Sequence, residues 1–158
     1  MSGSKNMRRY RTYFFSVALI TVVGLILACN QGPIGYRAPS GSTITISEAA
    51  TYSITAGNSV SAPVSGLVTV PSSSAEGGSL PGNNIYVTLT CDACEFIGGD
   101  GSSLGTFVEM TTDSSGIYSI AVLLQSPFQF GLDEYDATVT ASIGVASIST
   151  KLTAVDPN

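Results

Sequence analysis

Cys91 and Cys94, separated by Asp92 and Ala93, carry the sharpest chemistry in this chain. Outside a reducing compartment a pair so spaced oxidises to a short-loop disulfide, here one that pins the end of a strand. A bridge over so few residues removes little unfolded-chain entropy, so its stability gain falls at the low end of the usual range. Redox work needs a thiolate of lowered pKa beside a cation or a helix N-terminus, whereas Asp92 and Glu95 act in the opposite direction. A closed zinc site needs further Cys or His ligands, and the chain has three Cys and no His. The expectation is a structural bridge, with no metal.

Carboxylates form a second set. Asp100 in Gly98-Gly99-Asp100-Gly101, Asp113 in Thr112-Asp113-Ser114-Ser115-Gly116, and Asp133 and Asp136 around Glu134-Tyr135 could converge at one end of a fold. Together they would take calcium through carboxylate and carbonyl oxygens, although no run has EF-hand spacing. The alternative is that Asp caps turns and that acidic loops keep the domain soluble. A third set is aromatic. Phe128 and Phe130 lie in the connecting stretch 125–133, QSPFQFGLD. Aromatic residues are enriched at contact surfaces, which nominates this pair for a partner contact; the alternative is that both rings fold under the domain as a plug.

Catalysis finds little support. Without His there is no Ser-His pair, and the chain has no Gly-x-Ser-x-Gly elbow, P-loop or dinucleotide fingerprint. The expectation is a module without cofactor or catalytic residues. A carboxylate pair for glycoside hydrolysis is set by distance in space and not by spacing in sequence, so a carbohydrate-active enzyme stays as an alternative.

The element that positions all of this is the apolar run 14–30, FFSVALITVVGLILACN. Lys5, Arg8, Arg9 and Arg11 precede it, and all 11 acidic residues follow it, leaving Arg37 and Lys151 as the only cations beyond the run. Positive charge holds the front on the cytoplasmic side. The run suits a signal peptide and is shorter than the roughly 20 residues of a spanning helix. So acidic a remainder lacks the Lys and Arg that neutralise phosphates, which excludes nucleic acid as a partner.

Ile26-Leu27-Ala28-Cys29 resembles the bacterial lipobox, in which a small residue precedes a cysteine that receives a diacylglyceryl group before the leader is cut away. The resemblance implies a leader at 1–28 and lipidation of Cys29. Burial of acyl chains is worth about 0.8 kcal/mol per methylene, so two or three chains give lasting membrane attachment. Asn30, where an Asp favours inner-membrane retention in such lipoproteins, points to the outer membrane or cell surface. The alternatives are an uncleaved anchor helix and a plain secretory signal with Cys29 incidental. Residues 29–42 carry Gly32, Pro33, Gly35, Pro39 and Gly41 without apolar periodicity and read as a flexible tether; Ile34 and Tyr36 could instead pin it to the domain as an edge segment.

From residue 43 to 158 the apolar residues alternate with period two between turn signals, the pattern of an all-β sandwich. Strands are expected near 43–47, 51–55, 65–70, 84–90, 105–112, 116–125, 134–143 and 145–154. Ile85, Val87 and Leu89 share one face, as do Tyr118, Ile120, Val122 and Leu124, and Tyr135, Ala137, Val139, Ala141 and Ile143, with Ile148 and Leu152 facing the last set. These form the expected core.

The order GLVTVPSSSAEGGSLPGNNIYVTLTC, TFVEMTTDSSGIYSIAVLL and YDATVTASIGVASISTKLTAV resembles a bacterial immunoglobulin-like domain of the invasin or intimin type, over roughly residues 62–155. The closest matches are Thr112-Asp113-Ser114-Ser115-Gly116 and Ala137-Thr138-Val139-Thr140-Ala141. The resemblance implies an immunoglobulin-like β-sandwich. With the lipobox it implies a lipid-anchored cell-envelope module with a structural or adhesion-type role, binding a protein or glycan, as an accessory subunit of a surface assembly. The chain departs from the family by the Cys91–Cys94 insertion and by carrying a single copy. Alternatives of another class are a thiol-redox or carbohydrate-active envelope enzyme, and an assembly factor of a secretion or pilus system.

Overall fold

A computed structural model describes residues 35–73 and 77–157. Cys29 and the rest of the apolar run, with Ile34, lie outside the described residues. The strands are β1 (Thr43–Ile44), β2 (Ala50–Ser53), β3 (Ser59–Pro71), β4 (Ser79–Pro81), β5 (Tyr86–Asp92), β6 (Glu95–Ile97), β7 (Ser103–Gly105), β8 (Phe107–Thr111), β9 (Ile117–Gln125), β10 (Glu134–Ile143) and β11 (Ala146–Val155). The helical element among the described residues is a single 3-10 turn, Pro127–Phe130.

The strands form two sheets. One has six strands in the order β1-β3-β9-β6-β7 with β4 added to β3, and the other five in the order β2-β11-β10-β5-β8. All pairings are antiparallel except β2 with β11. Successive side chains of a strand point to opposite faces, so each alternating set packs inward from its own sheet. Val64, Val68, Phe96, Tyr118, Val122 and Leu124 come from the first sheet; Val87, Leu89, Ala137, Val139, Ile143 and Leu152 come from the second, and all are buried. Burying a Val, Leu or Phe of this kind contributes about 1.5–3 kcal/mol, which makes this layer the main stabilising element. Ile120, Tyr135 and Ile148 pack at its margins, half-buried.

Each expected strand is found, and β10 has the expected bounds. Strand β3 runs further back than expected, through Pro63, which lacks the N–H a ladder needs. Pro63 pairs with Ala121 of β9. Two and four residues on, the backbone of Ser65 and Leu67 bonds on the opposite side, to Ser47 and Thr45. Pro63 therefore turns its missing donor away from β9, at a point where no further strand follows among the described residues.

Residues 35–42, read from sequence as part of a flexible tether, belong to the compact unit, which starts at Gly35. Tyr36 forms a parallel bridge with Ile85: its N–H donates to the Asn84 carbonyl (2.7 Å) and its carbonyl accepts from Tyr86 N–H (3.0 Å). The edge-segment alternative is what the chain adopts at Tyr36, because Gly35 lets the backbone lie directly against the Tyr86 ring. A Cβ on Gly35 would come within 2.9 Å of that ring and 2.7 Å of Thr111 Cγ2.

Strands β5 to β8 are one bent hairpin that changes sheet halfway. Its base, β5 with β8, lies in the five-stranded sheet, and its tip, β6 with β7, lies in the six-stranded sheet. The Cys91–Cys94 segment and Thr106 make the bend, joined by Cys91 N–H donating to the Thr106 carbonyl at 2.9 Å.

Candidate functional site

At that bend Cys91 and Cys94 are disulfide-bonded, with Cα atoms 5.6 Å apart and both side chains buried. The short ring holds Ala93 at φ +62°, a left-handed conformation that a Cβ disfavours. The bridge thus fixes the corner by which the chain leaves one sheet for the other.

A later crossing, from β9 to β10, is made by Ser126–Asp133. Pro127 is buried at the start of the 3-10 turn, and Gly131 ends it at φ +68°, its N–H donating to the Phe128 carbonyl (3.1 Å). Phe128 and Phe130 are 64% and 58% exposed, so the plug alternative does not hold: Pro127 fills that role and the rings face outward. Tyr135, second residue of β10, reaches back to the end of β9. Its hydroxyl accepts from Gln125 N–H and donates to the Gln125 carbonyl, both at 2.9 Å, and its ring meets Phe130 edge-to-face at 5.5 Å. Burial pushes the Tyr135 phenol above its ordinary pKa, the Gln125 bond offsetting part of that rise.

A tyrosine at the start of the strand after this crossing, its hydroxyl tied to backbone at the end of the preceding strand, is similar to the tyrosine corner of immunoglobulin-like sandwiches, with Ala137 where antibody domains have a Cys. The fold is immunoglobulin-like. Its disulfide differs from the inter-sheet bridge of antibody domains, because it closes a corner within one hairpin. No family model matches the chain, and no curated protein does. Among solved structures, the ASH / PapD-like domain of human CEP192 (PapD-like domain 7) is similar at 8% identity, over 80% of this chain and 94% of that one, with a TM-score of 0.40.

The two crossings meet. Glu95 pairs with Leu123 in the β6–β9 ladder, which brings the disulfide corner beside the end of β9. Between them lies an open groove of about 430 Å³ whose apolar walls are Ala93 and Cys94 on one side and Leu123, Phe130, Leu132 and Tyr135 on the other. Thr106, Glu95 and Gln125 supply its polar rim. Leu132 is 49% exposed, so the apolar surface continues outward from the groove along the loop. Glu95 is held by Ser103 Oγ, which donates to its carboxylate at 2.7 Å. Two of the features singled out from sequence, the cysteine pair and the aromatic loop, therefore share one site, with Phe130 lining it and Phe128 exposed on the same turn.

The four aspartates do not share a site. Asp113 Oδ1 accepts from Ser115 N–H (2.8 Å) and Ile117 N–H (2.9 Å), capping the turn into β9. Asp100 accepts from the Ser102 hydroxyl (2.6 Å) and amide (3.0 Å), which hold its carboxyl below the ordinary range. Asp136, on β10, accepts from Thr153 and pairs with Lys151 at 3.0 Å, and these partners lower its pKa in that order. The Asp133 carbonyl accepts from Asp156 N–H. Among the described residues no three His, Cys, Asp or Glu come together as a metal site. Asp100 and Asp113 cap turns and Asp136 ties β10 to β11, the short-range bonds for which an Asp carboxylate is suited.

Leu123, Leu132 and Tyr135 were not read from sequence as site residues. Tyr135 carried a signal for it: a tyrosine opening the strand that follows an aromatic loop is placed to tie that loop down.

Proposed function

We propose that this protein is a non-catalytic immunoglobulin-like binding module of the bacterial cell envelope, held by acyl chains on Cys29 after loss of residues 1–28, and that it grips a protein segment in the groove between the disulfide corner and the Phe130 loop. The observation that carries this reading is that two independently fixed crossings converge on one open apolar groove. A covalent bridge sets one wall and the Tyr135–Gln125 bonds set the other. Walls fixed before binding lose little freedom on binding, which favours affinity. Aromatic anchors beside a concave apolar surface are the usual centre of a protein contact. The rim carries Glu95, so the segment it suits is apolar at its centre with a neutral or basic flank.

The groove is tested with the lipid-anchored protein in intact envelopes, comparing wild type with Phe130→Ser and Leu132→Ser. A partner that co-purifies with wild type should be lost from both variants while their folding is kept, with at most about 1 kcal/mol lost with the Phe130–Tyr135 ring contact, because both side chains are about half exposed. Equal recovery from both variants rejects the groove. The anchor is tested separately by mass spectrometry of the mature N-terminus: acylated Cys29 as first residue is expected, and an intact 14–28 segment rejects it.

A further inference from the structure

The outer face of the five-stranded sheet carries a second groove, of about 390 Å³, that shares no residue with the first. It is bounded at one end by residues 35–38, a strap held alongside the start of β5 by the Tyr36–Ile85 bridge. Beside the strap lies a row of side chains on three adjacent strands: Ser142 of β10 opposite Thr88 of β5, and Thr88 opposite Glu109 of β8. Facing residues in such a row stand within reach of a common ligand. Tyr86, two residues from Thr88 on the same face, is 40% exposed, and Arg37 closes the groove from the strap.

The charges of this groove are its informative feature. Arg37 and Lys151 are the cations among the described residues, and Lys151 is paired with Asp136. Among the described residues Arg37 makes no ion pair, although it lines the same groove as Glu109. The groove therefore offers a guanidinium with five donors, a carboxylate that only accepts, two hydroxyls that do both, and the part of the Tyr86 ring that Gly35 leaves exposed. An inorganic anion would be opposed by Glu109, and a simple cation by Arg37. A pyranose answers the whole set, because vicinal hydroxyls donate to a carboxylate and accept from a guanidinium, while the C–H face of the ring lies on an aromatic ring.

We infer that the groove between the 35–38 strap and the Tyr86–Thr88–Glu109–Ser142 face is a saccharide-binding site. It is independent of the apolar groove, so either can fail without the other.

The test is calorimetric titration of the detergent-solubilised full protein with three probes: β-1,4-linked N-acetylglucosamine oligomers, α-1,4-linked glucose oligomers and galacturonate oligomers. At least one probe should bind. A galacturonate preference would assign Arg37 to a sugar carboxylate, and a neutral preference would assign it to hydroxyls. Arg37→Ala and Glu109→Gln should each weaken binding by about tenfold or more, as expected for a lost hydrogen bond to a charged group. Gly35→Ala, which lifts the strap from Tyr86 and touches no polar group of the site, should weaken it as well, while Lys151→Ala should not. Failure of all three probes at millimolar concentration, or Arg37→Ala and Glu109→Gln proteins that bind as wild type does, overturns the inference.

Discussion

The hydroxyl of Tyr135 stands 2.9 Å from both the amide nitrogen and the carbonyl oxygen of Gln125, taking the place a neighbouring strand would have at the end of β9. One side chain thereby satisfies two backbone groups and holds the Phe130 wall of the groove through its ring.

Tyr135→Phe keeps the ring contact and removes both bonds. Leaving a part-buried donor and acceptor without their protein partner costs about 1 kcal/mol, the low end of the range for buried groups, so urea unfolding should show a loss of about that size. Partner binding should weaken beyond what the fraction folded accounts for. A variant as stable as wild type would mean that the corner is not structurally important.

Asp113→Ala should cost about 1–2 kcal/mol, since the Ser115 and Ile117 amides lose their acceptor, and Asp113→Asn should cost less because Oδ1 is kept. Adding calcium should leave the unfolding midpoint of wild type unchanged. A midpoint raised by calcium would contradict the turn-capping assignment.

Tyr118 sets an alkaline limit. It is buried, donates to the Thr45 carbonyl at 2.6 Å, and has its pKa pushed up to about 12 by burial. Its folded pKa lies above the ordinary unfolded value of 10.0, so its contribution is intact below about pH 10. It is lost as pH rises toward about 12, where the unfolded chain is ionised and the folded chain is not yet. The burial of Tyr135 acts in the same direction. Unfolding midpoints measured from pH 8 to about 12 should fall above about pH 10, and the fall should be shallower in Tyr118→Phe, which is less stable at neutral pH by about 1 kcal/mol.

The disulfide corner should be modest in stability and larger in binding. Cys91→Ala with Cys94→Ala should cost about 2 kcal/mol, as expected for so short a loop. Partner binding should fall further, because Ala93 and Cys94 line the groove. Ala93→Gly, relieving the positive φ, should be neutral or stabilising by up to about 1 kcal/mol. Reactive free thiols at positions 91 and 94 in exported protein would contradict the bridge.

Much of the scaffold was legible because burial on one face of a strand writes itself as alternation. Tyr118, Val122 and Leu124, or Ala137, Val139 and Ala141, announce their strands without any neighbour being known. The Thr112-Asp113-Ser114-Ser115-Gly116 turn was legible too, since its capping bonds are local. Strands β4, β6 and β7 were not: at three residues each they are too short to alternate. Both grooves depend on register. That Glu95 faces Leu123, or that Ser142, Thr88 and Glu109 form one row, is a pairing of distant segments that composition and spacing do not encode. The outward direction of Phe128 and Phe130 was equally hidden, because Pro127 and Gly131 set the turn and hydrophobicity alone fits a plug as well as a contact.

The central claim, a protein partner held in the groove between the Cys91–Cys94 corner and the Phe130 loop, is tested most directly by photo-crosslinking in intact envelopes. A photoreactive residue replaces Leu132 in one protein and Val145, fully exposed in the β10–β11 turn, in another. The account predicts one discrete adduct from position 132, weakened by Phe130→Ser and absent from position 145. No adduct at 132, or the same adducts from both positions, would contradict it.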